Sequence, residues 1–503
     1  MNDFIFSLML LGAMSSSGSL PFWATTGQWG LMPENNGAIA LVQAHTQFDE
    51  SKTLQWRWGA SFAANSYNND LDPASSPAHL MVDELYASAR WKVFTLDLGQ
   101  KRRELDFMAA DPSLGSLSVT GGHIAESGNA RTMPGWLGTM DPVAVPFTGK
   151  HLWVYGAFGD YKTLDLRSTN NALVHRTRVG LRGDIGSRLS LHIMLDHCAQ
   201  WAGDLPNQTQ MPITLDNYLR VATGRSASAS GSVSDQLNVI GNQLGGELMK
   251  AEYRGDGWKA VFQHDIPYED GSGMGLQNFP DGVNTLWFGW DDKDRWVSDI
   301  VLEYHYSLWQ SGTCHDRPTT EEERANLDPS DQYHYWRHII GGGDSYFNNG
   351  EYRSGWTHFG HVIGNPLFSP TGTRAGTWTS ATVTYGVENN RIQAFHFGLS
   401  GKLFRRHPYR LMLTHSLNYG TYTSPYQGKS IWGAQYTRKG MMEAMKKAGN
   451  APLQQFSAAF NGYFNDVFGV KGLQGVYGIF GDYGQLLPNS FGATLGVKYS
   501  FGR

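Results

Sequence analysis

Cysteine is nearly absent from this sequence, which has only Cys198 and Cys314 among 503 residues. Two cysteines cannot build the network of bridges that holds small secreted proteins together, so the fold must rest on other interactions. In an oxidising envelope the two could form one disulfide, or each could remain a separate buried thiol. The sequence leaves both alternatives open, and neither cysteine has metal-ligand spacing.

Charge and long apolar runs are also scarce. Only 17% of the residues are charged, against roughly 25% in ordinary soluble domains. The formal charge of −5 and the lack of a basic patch exclude a nucleic-acid partner. The mean hydropathy is −0.38, and no apolar run reaches about 18 residues, which excludes a bundle of membrane helices. A membrane β-barrel is still allowed, because each strand shows lipid only every second side chain.

Glycine and aromatic residues are abundant instead, with 60 Gly and 13% aromatics, which is typical of a β-rich and turn-rich chain. Apolar and polar residues alternate with a period of two, the signature of strands, in windows 173–182, 189–197, 300–309 and 409–419. In the first window Arg176, Arg178 and Arg182 share one face. An arginine facing lipid costs about 2–4 kcal/mol, so we expect these three to line the interior.

The faces of two other windows are assigned in the same way. In 189–197, Leu191 and Ile193 are predicted to face lipid, and His192 and Asp196 the interior. In 300–309 the predicted lipid face comprises Ile300, Leu302, Tyr304, Tyr306 and Leu308.

The two ends of the chain carry further signals. Residues 493–501 alternate and contain Gly496-x-x-Tyr499-x-Phe501, which resembles the C-terminal β-signal of outer-membrane proteins and implies the barrel-assembly machinery as a partner during biogenesis. Such signals more often end on the aromatic residue, whereas Gly502 and Arg503 follow here. At the start, residues 1–19 are either a signal peptide with a poor basic region or the first strand.

Long polar stretches separate the predicted strands. Residues 199–236 and 310–349 exceed hairpin length, and barrels place long loops outside the cell. Residues 437–449 predict a short helix. With no repeat and no linker, residues 1–503 are predicted to form one domain.

No pattern of catalysis or metal binding emerges. The 17 histidines are scattered, and His192 and His197 lie five apart, on opposite faces of one strand. Neither H-E-x-x-H nor G-x-S-x-G occurs. We therefore expect no enzyme, no metal and no cofactor.

Sugar binding is compatible with the loops. Aromatic rings stack on the apolar faces of sugars while carboxylates accept hydrogen bonds from hydroxyls. Membrane barrels also carry interfacial girdles of Trp and Tyr, which offer another explanation for any single aromatic. The candidate sugar-binding residues are Trp201, Asp204, Asp216, Tyr218, Asp331, Trp336, Asp344 and Tyr346.

Six blocks in order along the chain resemble the Wzi-type capsule-assembly family, in its branch from Bacteroides-like bacteria. They are 20–23 (LPFW), 127–134 (SGNARTMP), 238–246 (NVIGNQLGG), 269–282, 346–356 and 363–367 (IGNPL). The motif residues without a transferable role are Asn129, Arg131, Asn242, Asp270, Asn278, Asp281, Asn348 and Trp356.

The resemblance implies an all-β fold, a transmembrane antiparallel barrel of about 18 strands, or 16 as the alternative, with long extracellular loops and short periplasmic helices. It implies a non-catalytic outer-membrane lectin that organises capsular polysaccharide, with that polysaccharide and the membrane lipid as partners. Two other functions stay open, namely a general or selective porin and a subunit of a larger envelope assembly.

Overall fold

Eighteen antiparallel strands form one closed barrel in the computed structural model. It describes residues 4–66, 79–204, 212–226, 240–270, 273–312, 315–330, 335–371, 386–432 and 436–501. The ring closes because β1 pairs with both β2 and β24. The prediction of a barrel is confirmed, with 18 strands rather than 16.

The first nine barrel strands are β1 (Phe4–Ser15), β2 (Gly37–Thr46), β3 (Leu54–Asn65), β4 (His79–Trp91), β5 (Phe94–Gln100), β6 (Pro134–Ala144), β7 (Leu152–Lys162), β8 (Leu173–Ile185) and β9 (Leu189–Trp201). The other nine are β10 (Asn242–Gly255), β11 (Trp258–Tyr268), β12 (Gly282–Trp290), β13 (Asp299–Tyr306), β20 (Ile392–Leu403), β21 (His407–Asn418), β22 (Leu453–Asn465), β23 (Leu473–Gly484) and β24 (Ser490–Phe501).

Small elements occupy the connections. Three small two-stranded sheets pair β14 (His315–Pro318) with β15 (Arg337–Gly341), β16 (Thr357–His358) with β17 (His361–Val362), and β18 (Ser369–Pro370) with β19 (Val387–Asn389). The short helices are α1 (Phe22–Thr25), α2 (Leu215–Ala222), α3 (Glu321–Arg324) and α4 (Met441–Lys447). Single 3-10 turns occur at Pro112–Leu114, Gly273–Gly275, Arg438–Gly440 and Val467–Gly469. None of the described helices has the length and apolar character needed to cross a bilayer.

The wall follows the predicted alternation. In β9, Ile193 is 58% exposed on the outer surface, whereas Asp196 is 2% exposed and faces inward. In β8, Val179 is exposed while Arg176 is buried inside the barrel. The outward stripe of β24 comprises Ala493, Leu495, Val497, Tyr499 and Phe501, of which Leu495 is the most exposed. The lipid-facing and lumen-facing assignments are therefore confirmed for these strands.

One assigned side chain is wrong. Leu308 was expected on the lipid face, but β13 ends at Tyr306 and Leu308 is fully buried in a cluster with Trp309 and Tyr422. Strand periodicity does not extend into the connection that follows, because the chain turns over the barrel there.

The two ends of the barrel differ in the length of their connections. At the end holding Phe4 and Phe501, neighbouring strands are joined by turns such as 92–93, 186–188 and 404–406. The opposite end carries connections 101–133, 202–241, 307–391 and 419–452. Since barrels place their long loops outside the cell, this second end is extracellular and the first is periplasmic.

The connections between the barrel strands require two corrections and give one confirmation. The resemblance implied short periplasmic helices, but α1 to α4 lie in extracellular connections, and on the periplasmic side the structure has the 3-10 turn Val467–Gly469. The predicted loop 199–236 is wrong at its start, because β9 continues to Trp201. The helix predicted within 437–449 is confirmed as α4.

A band of aromatic side chains marks the periplasmic edge of the wall. These residues lie near the ends of strands on the short-turn side, where amphipathic rings meet the lipid headgroups. The exposed members are Phe4, Trp56, Trp58, Trp91, Phe94, Trp296, Phe404, Phe464 and Phe501.

Candidate functional site

The lumen contains a long connection that folds back into it. Residues 101–133, which we name the plug, leave the wall at β5 and return at β6. In the ring of eighteen strands, β20 and β21 lie opposite β5 and β6. The plug reaches that opposite wall, so it crosses the barrel rather than lining one side.

Four hydrogen bonds fix the centre of the plug to the far wall. Glu303 on β13 accepts from Ser118 Oγ at 2.6 Å and from the Val119 amide at 2.8 Å. His396 Nε2 on β20 donates to the Leu117 carbonyl at 2.9 Å, and Arg410 on β21 donates to the Ser116 carbonyl at 3.0 Å. These wall residues are buried, so each bond replaces water that the wall would otherwise require.

The next part of the plug is held by β11. Gln263 Nε2 donates to the Gly122 carbonyl at 2.6 Å, and Asp265 accepts from the Ile124 amide at 2.8 Å. Leu117 is fully buried and Val119 nearly so, which places apolar side chains at the centre of a polar lumen. The plug is thus packed as a protein core.

Charged side chains join the plug to β8 and β9. Arg176 binds Asp196 on the wall at 2.7 Å and also contacts Glu126 of the plug, while Arg178 binds Asp196 at 2.7 Å. The expectation that the arginines face inward is confirmed, and the buried carboxylates satisfy two of them. On the plug, burial and then the Arg178 charge lower the pKa of His123 to about 3, so this imidazole is neutral at physiological pH.

A second segment, residues 342–371, braces the plug from the extracellular side. The Trp356 indole donates to the Ala125 carbonyl at 2.7 Å, and Asn129 Nδ2 donates to the Val362 carbonyl at 3.0 Å. The Ser127 amide donates to Ile363 at 2.9 Å. Two family-motif residues, Asn129 and Trp356, therefore work as packing and hydrogen-bonding residues inside the barrel.

The bracing segment turns at a histidine pair. His358 and His361 face each other across the β16–β17 hairpin. His358 Nδ1 lies 2.9 Å from the Arg131 carbonyl, and its Nε2 lies 3.0 Å from the Leu164 amide. These two backbone partners specify a neutral ring with its proton on Nδ1. The guanidinium of Arg131 lies 4.2 Å from the Phe359 ring centre.

Another set of motif residues forms a buried acidic pocket at the extracellular end. Asp281 is fully buried and accepts from the Trp309 amide at 2.9 Å, the Gln310 amide at 2.6 Å and the Tyr346 hydroxyl at 2.8 Å. Asp344 accepts from Ser311 Oγ at 3.3 Å. Because Asp281 ends the connection 269–281 and its partners lie in the connection 307–391, this pocket ties two extracellular connections together.

Burial changes the protonation of the pocket. It raises the pKa of Asp281 to about 7 against the lowering effect of the Gln310 and Trp309 amides. It raises the pKa of Asp344 to about 8, and the charge of Asp270 adds to this rise. It also raises the pKa of Glu269, where the Asp344 charge adds to the effect. Protonated carboxyls can sit close together here without mutual repulsion.

The other motif residues are also engaged in local structure. Asn278 Nδ2 donates to the Pro267 carbonyl at 2.9 Å, and Asp270 accepts from the Gly273 amide at 2.8 Å. Asn242 donates to Gln200 at 2.7 Å, and Asn348 donates to the Val387 carbonyl at 2.8 Å. These contacts indicate that the motif residues shape the lumen and its extracellular end.

The predicted sugar-binding residues fall into two groups. Trp201, Asp344 and Tyr346 are buried, and the Tyr218 hydroxyl donates to Asp160 at 2.9 Å. Trp201 and Tyr346 therefore present no free aromatic face at the surface. Asp331 lies outside the described residues, as does Cys314, the proposed partner of the buried Cys198.

The second group is accessible. Trp336 is 54% exposed, with the Arg324 guanidinium 5.1 Å from its ring centre. Asp216 is exposed and pairs with Arg220 at 2.8 Å. Asp204 accepts from Asn171 at 2.7 Å. Asp204 and Asp216 lie in the connection 202–241, whereas Trp336 lies in the connection 307–391.

An aromatic cluster that was not predicted lies at the extracellular end. Trp432 is 47% exposed and contacts Tyr422 at 6.3 Å between ring centres, while Phe279 is 48% exposed. The Arg438 guanidinium lies 5.4 Å from the Trp309 ring centre and 5.9 Å from that of Phe279. We name these residues the aromatic cap. The sequence of loop 419–452 has the same mixture of aromatic and polar residues as the two loops chosen as candidate sugar sites. This composition could have indicated the cluster.

Among the described residues, no group of three or more His, Cys, Asp or Glu side chains is arranged to hold a metal ion.

Comparison with solved structures finds outer-membrane barrels. Over 99% of this chain and 84% of the other, the fold is similar, with a TM-score of 0.51 and 13% identity, to Wzi of Escherichia coli, an outer-membrane protein involved in group 1 capsule assembly and a carbohydrate-binding β-barrel. OccK9 (OpdG) of Pseudomonas aeruginosa matches over 99% of this chain and 97% of its own, with a TM-score of 0.45 and 10% identity. OpdK of the same bacterium matches over 99% of both chains, with a TM-score of 0.43 and 9% identity.

No protein-family profile and no curated protein matches the sequence. At these identities the structural similarity shows the fold alone. The chain is a bacterial outer-membrane β-barrel, as predicted.

Proposed function

We propose that this protein is a non-catalytic outer-membrane lectin that binds and organises surface polysaccharide at its extracellular end. The observation that carries the proposal is the plug, which crosses the lumen and is bonded to the opposite wall through Glu303, His396 and Arg410. A wall wide enough for an aqueous channel is here filled with packed protein, which favours a surface role over a conducting one.

The proposed sugar-contacting surface combines Trp336 with the aromatic cap. Trp432 and Phe279 offer exposed rings, and the guanidinium of Arg438 beside Phe279 can donate to sugar hydroxyls or carboxylates. The acidic pocket beneath this surface holds the loops in place through Asp281.

Each sugar contact should be weak, because an exposed hydrogen bond contributes only about 0.5–1.5 kcal/mol net. A polymer with many repeats can engage many copies of the barrel at once, which raises retention without a deep pocket. The proposal therefore predicts binding of long polysaccharide and little binding of single repeats.

The test is binding of the host's purified surface polysaccharide to the protein in detergent. Trp432→Ala and Trp336→Ala should each weaken binding about fivefold, the effect of losing about 1 kcal/mol of aromatic contact. Trp91→Ala, at the periplasmic edge, is the matched control and should bind normally. Absence of binding by the wild-type protein would reject the lectin function.

A substrate-selective channel is the second candidate. The lumen wall carries Arg178, Arg182, Lys250 and Lys259, whose side chains are partly accessible on the periplasmic side of the plug. Each of these cations is paired with a carboxylate of Asp196, Asp184 or Glu252, so the face would offer charged pairs to small polar solutes if the plug moved aside. Uptake of small charged solutes into liposomes holding the wild-type protein would support this candidate.

A role as a subunit of a larger envelope assembly is a third candidate. Mild cross-linking and co-purification from the native membrane would reveal stable partners, whereas the lectin proposal requires none.

A further inference from the structure

Near the extracellular ends of β7 to β9, the wall has polar side chains on its outer surface. Asp160 and His175 lie on the same face as Phe158 and Val179, which are exposed to lipid. Polar groups on the lipid side of a barrel are costly unless something satisfies and covers them. His175 is nevertheless fully buried, so another part of the chain must cover it.

That cover is the helix α2. The Tyr218 hydroxyl donates to Asp160 Oδ2 at 2.9 Å, and Asp160 Oδ1 lies 2.9 Å from His175 Nδ1. The Tyr218 ring lies 5.4 Å from that of His175 and 5.7 Å from that of Trp201. Trp201 shares the outward face of β9 with Ile193. These contacts place α2 outside the barrel, against its wall.

The helix has one side buried against the wall and an exposed apolar side. Asn217 and Val221 are buried against the wall. Ile213, just before the helix, and Leu215 and Leu219 within it are 70%, 73% and 53% exposed. Directly after β7, Leu164 and Leu166 are also exposed, alternating with the buried Thr163, Asp165 and Arg167.

We propose that α2 is an interfacial anchor that lies in the outer leaflet of the membrane, at the boundary between lipid headgroups and acyl chains. The occupant of its apolar face is lipid, because that face continues upward from the lipid-facing residues Val179 and Ile193 of the strands it covers. In water, three large neighbouring apolar side chains would form an exposed patch of the kind that marks a binding surface. At the membrane boundary they are buried, and the Asp216–Arg220 pair can stay among the headgroups.

This anchor is independent of polysaccharide binding. It would hold residues 212–226 against the outer wall, away from the plug, and so fix one side of the extracellular end at the membrane surface.

The experiment places a nitroxide label on α2 in nanodiscs of phosphatidylcholine and phosphatidylglycerol. Leu219→Cys is made in a chain whose two native cysteines are replaced, and collisions of the label with oxygen and with a water-soluble nickel chelate are compared. Ile193→Cys on the lipid-facing wall and Glu322→Cys on α3 are the matched controls. The anchor predicts that label 219, like label 193, collides more with oxygen than with nickel.

Nickel collisions at label 219 equal to those at label 322 would overturn the proposal. A second measurement does not depend on labelling: trypsin cleavage after Arg220 in the same nanodiscs. Leu215→Asp with Leu219→Asp should remove the protection of this site, and cleavage of the wild-type chain as fast as that of the double variant would also overturn it.

Discussion

The wall and the plug of this barrel obey different rules. The wall is regular: each strand alternates between lipid and lumen, and its backbone groups are paired with neighbouring strands. The plug has little regular structure, and several of its backbone groups pair with wall side chains such as Glu303, Asp265 and Arg410. The wall is thus stabilised by strand pairing and by lipid around its outer face. The plug depends instead on a few specific buried polar side chains.

The largest expected effect comes from breaking the wall at its seam. Tyr499 and Phe501 of β24 pair with Leu8 and Phe6 of β1. Deleting residues 499–503 removes the end of this pairing together with the proposed assembly signal, so we expect loss of the protein from the outer membrane. Membrane fractionation and heat-modifiability on gels measure this outcome. Normal insertion of the shortened chain would show that the seam and signal are dispensable.

A single charge on the lipid face should have the next largest effect. Ile193→Arg on β9 puts a guanidinium into lipid at a cost of about 2–4 kcal/mol. Ser190→Arg is the matched control on the same strand, because Ser190 faces the lumen and donates to Asp184 at 2.7 Å. Denaturant unfolding in lipid vesicles should show a lower stability for the first variant alone. Equal stability of the two variants would contradict the assignment of Ile193 to the lipid face and Ser190 to the lumen.

A smaller and more local effect is expected from loosening the plug. Glu303→Gln removes one of two acceptors that hold Ser118 Oγ and the Val119 amide, at a cost of about 1–3 kcal/mol. Hydrogen exchange at residues 116–119 should accelerate while the strands stay protected. Glu252→Gln, which alters a wall carboxylate paired with Lys250 and Lys259, is the control. Unchanged exchange in the plug would mean that Glu303 does not hold it.

The smallest effect concerns pH at the acidic pocket. Because the pKa of Asp344 is raised to about 8, the folded loops hold its proton more tightly than the unfolded chain does. Stability from this group is therefore complete below about pH 4 and falls as pH rises toward 8. Asp344→Asn should remove part of this fall and protect the loops by about 1–2 kcal/mol at pH 9.

Exchange protection of residues 342–348, corrected for intrinsic rates at each pH, measures this effect. The exposed Glu322→Gln serves as the control. A steeper pH dependence in Asp344→Asn would contradict the raised pKa.

The wall could be predicted from the sequence because lipid-facing and lumen-facing residues alternate within each strand. This pattern is visible without knowing which strands pair. Arg176, Ile193 and Leu495 were assigned correctly from parity alone. The same rule failed at Leu308, where the strand had already ended and packing with Trp309 and Tyr422 took over.

The interior could not be predicted in this way. Trp356 and Ala125 are far apart in sequence and meet only because two connections fold into one lumen. Tyr346 and Trp201 have the composition of a sugar site, yet their burial depends on contacts that no local pattern encodes. Three of the blocks, 127–134, 346–356 and 363–367, lie in the plug and its bracing segment, but their sequences do not give these roles.

Single-channel conductance of the purified wild-type barrel in planar bilayers tests the central claim most directly, namely that the plug closes the lumen. A barrel sealed by bonds from Glu303, His396 and Arg410 should insert without opening stable channels. A variant with residues 104–130 replaced by a short Gly/Ser linker should conduct strongly. Large, steady conductance by the wild-type protein would contradict the claim and favour the channel function.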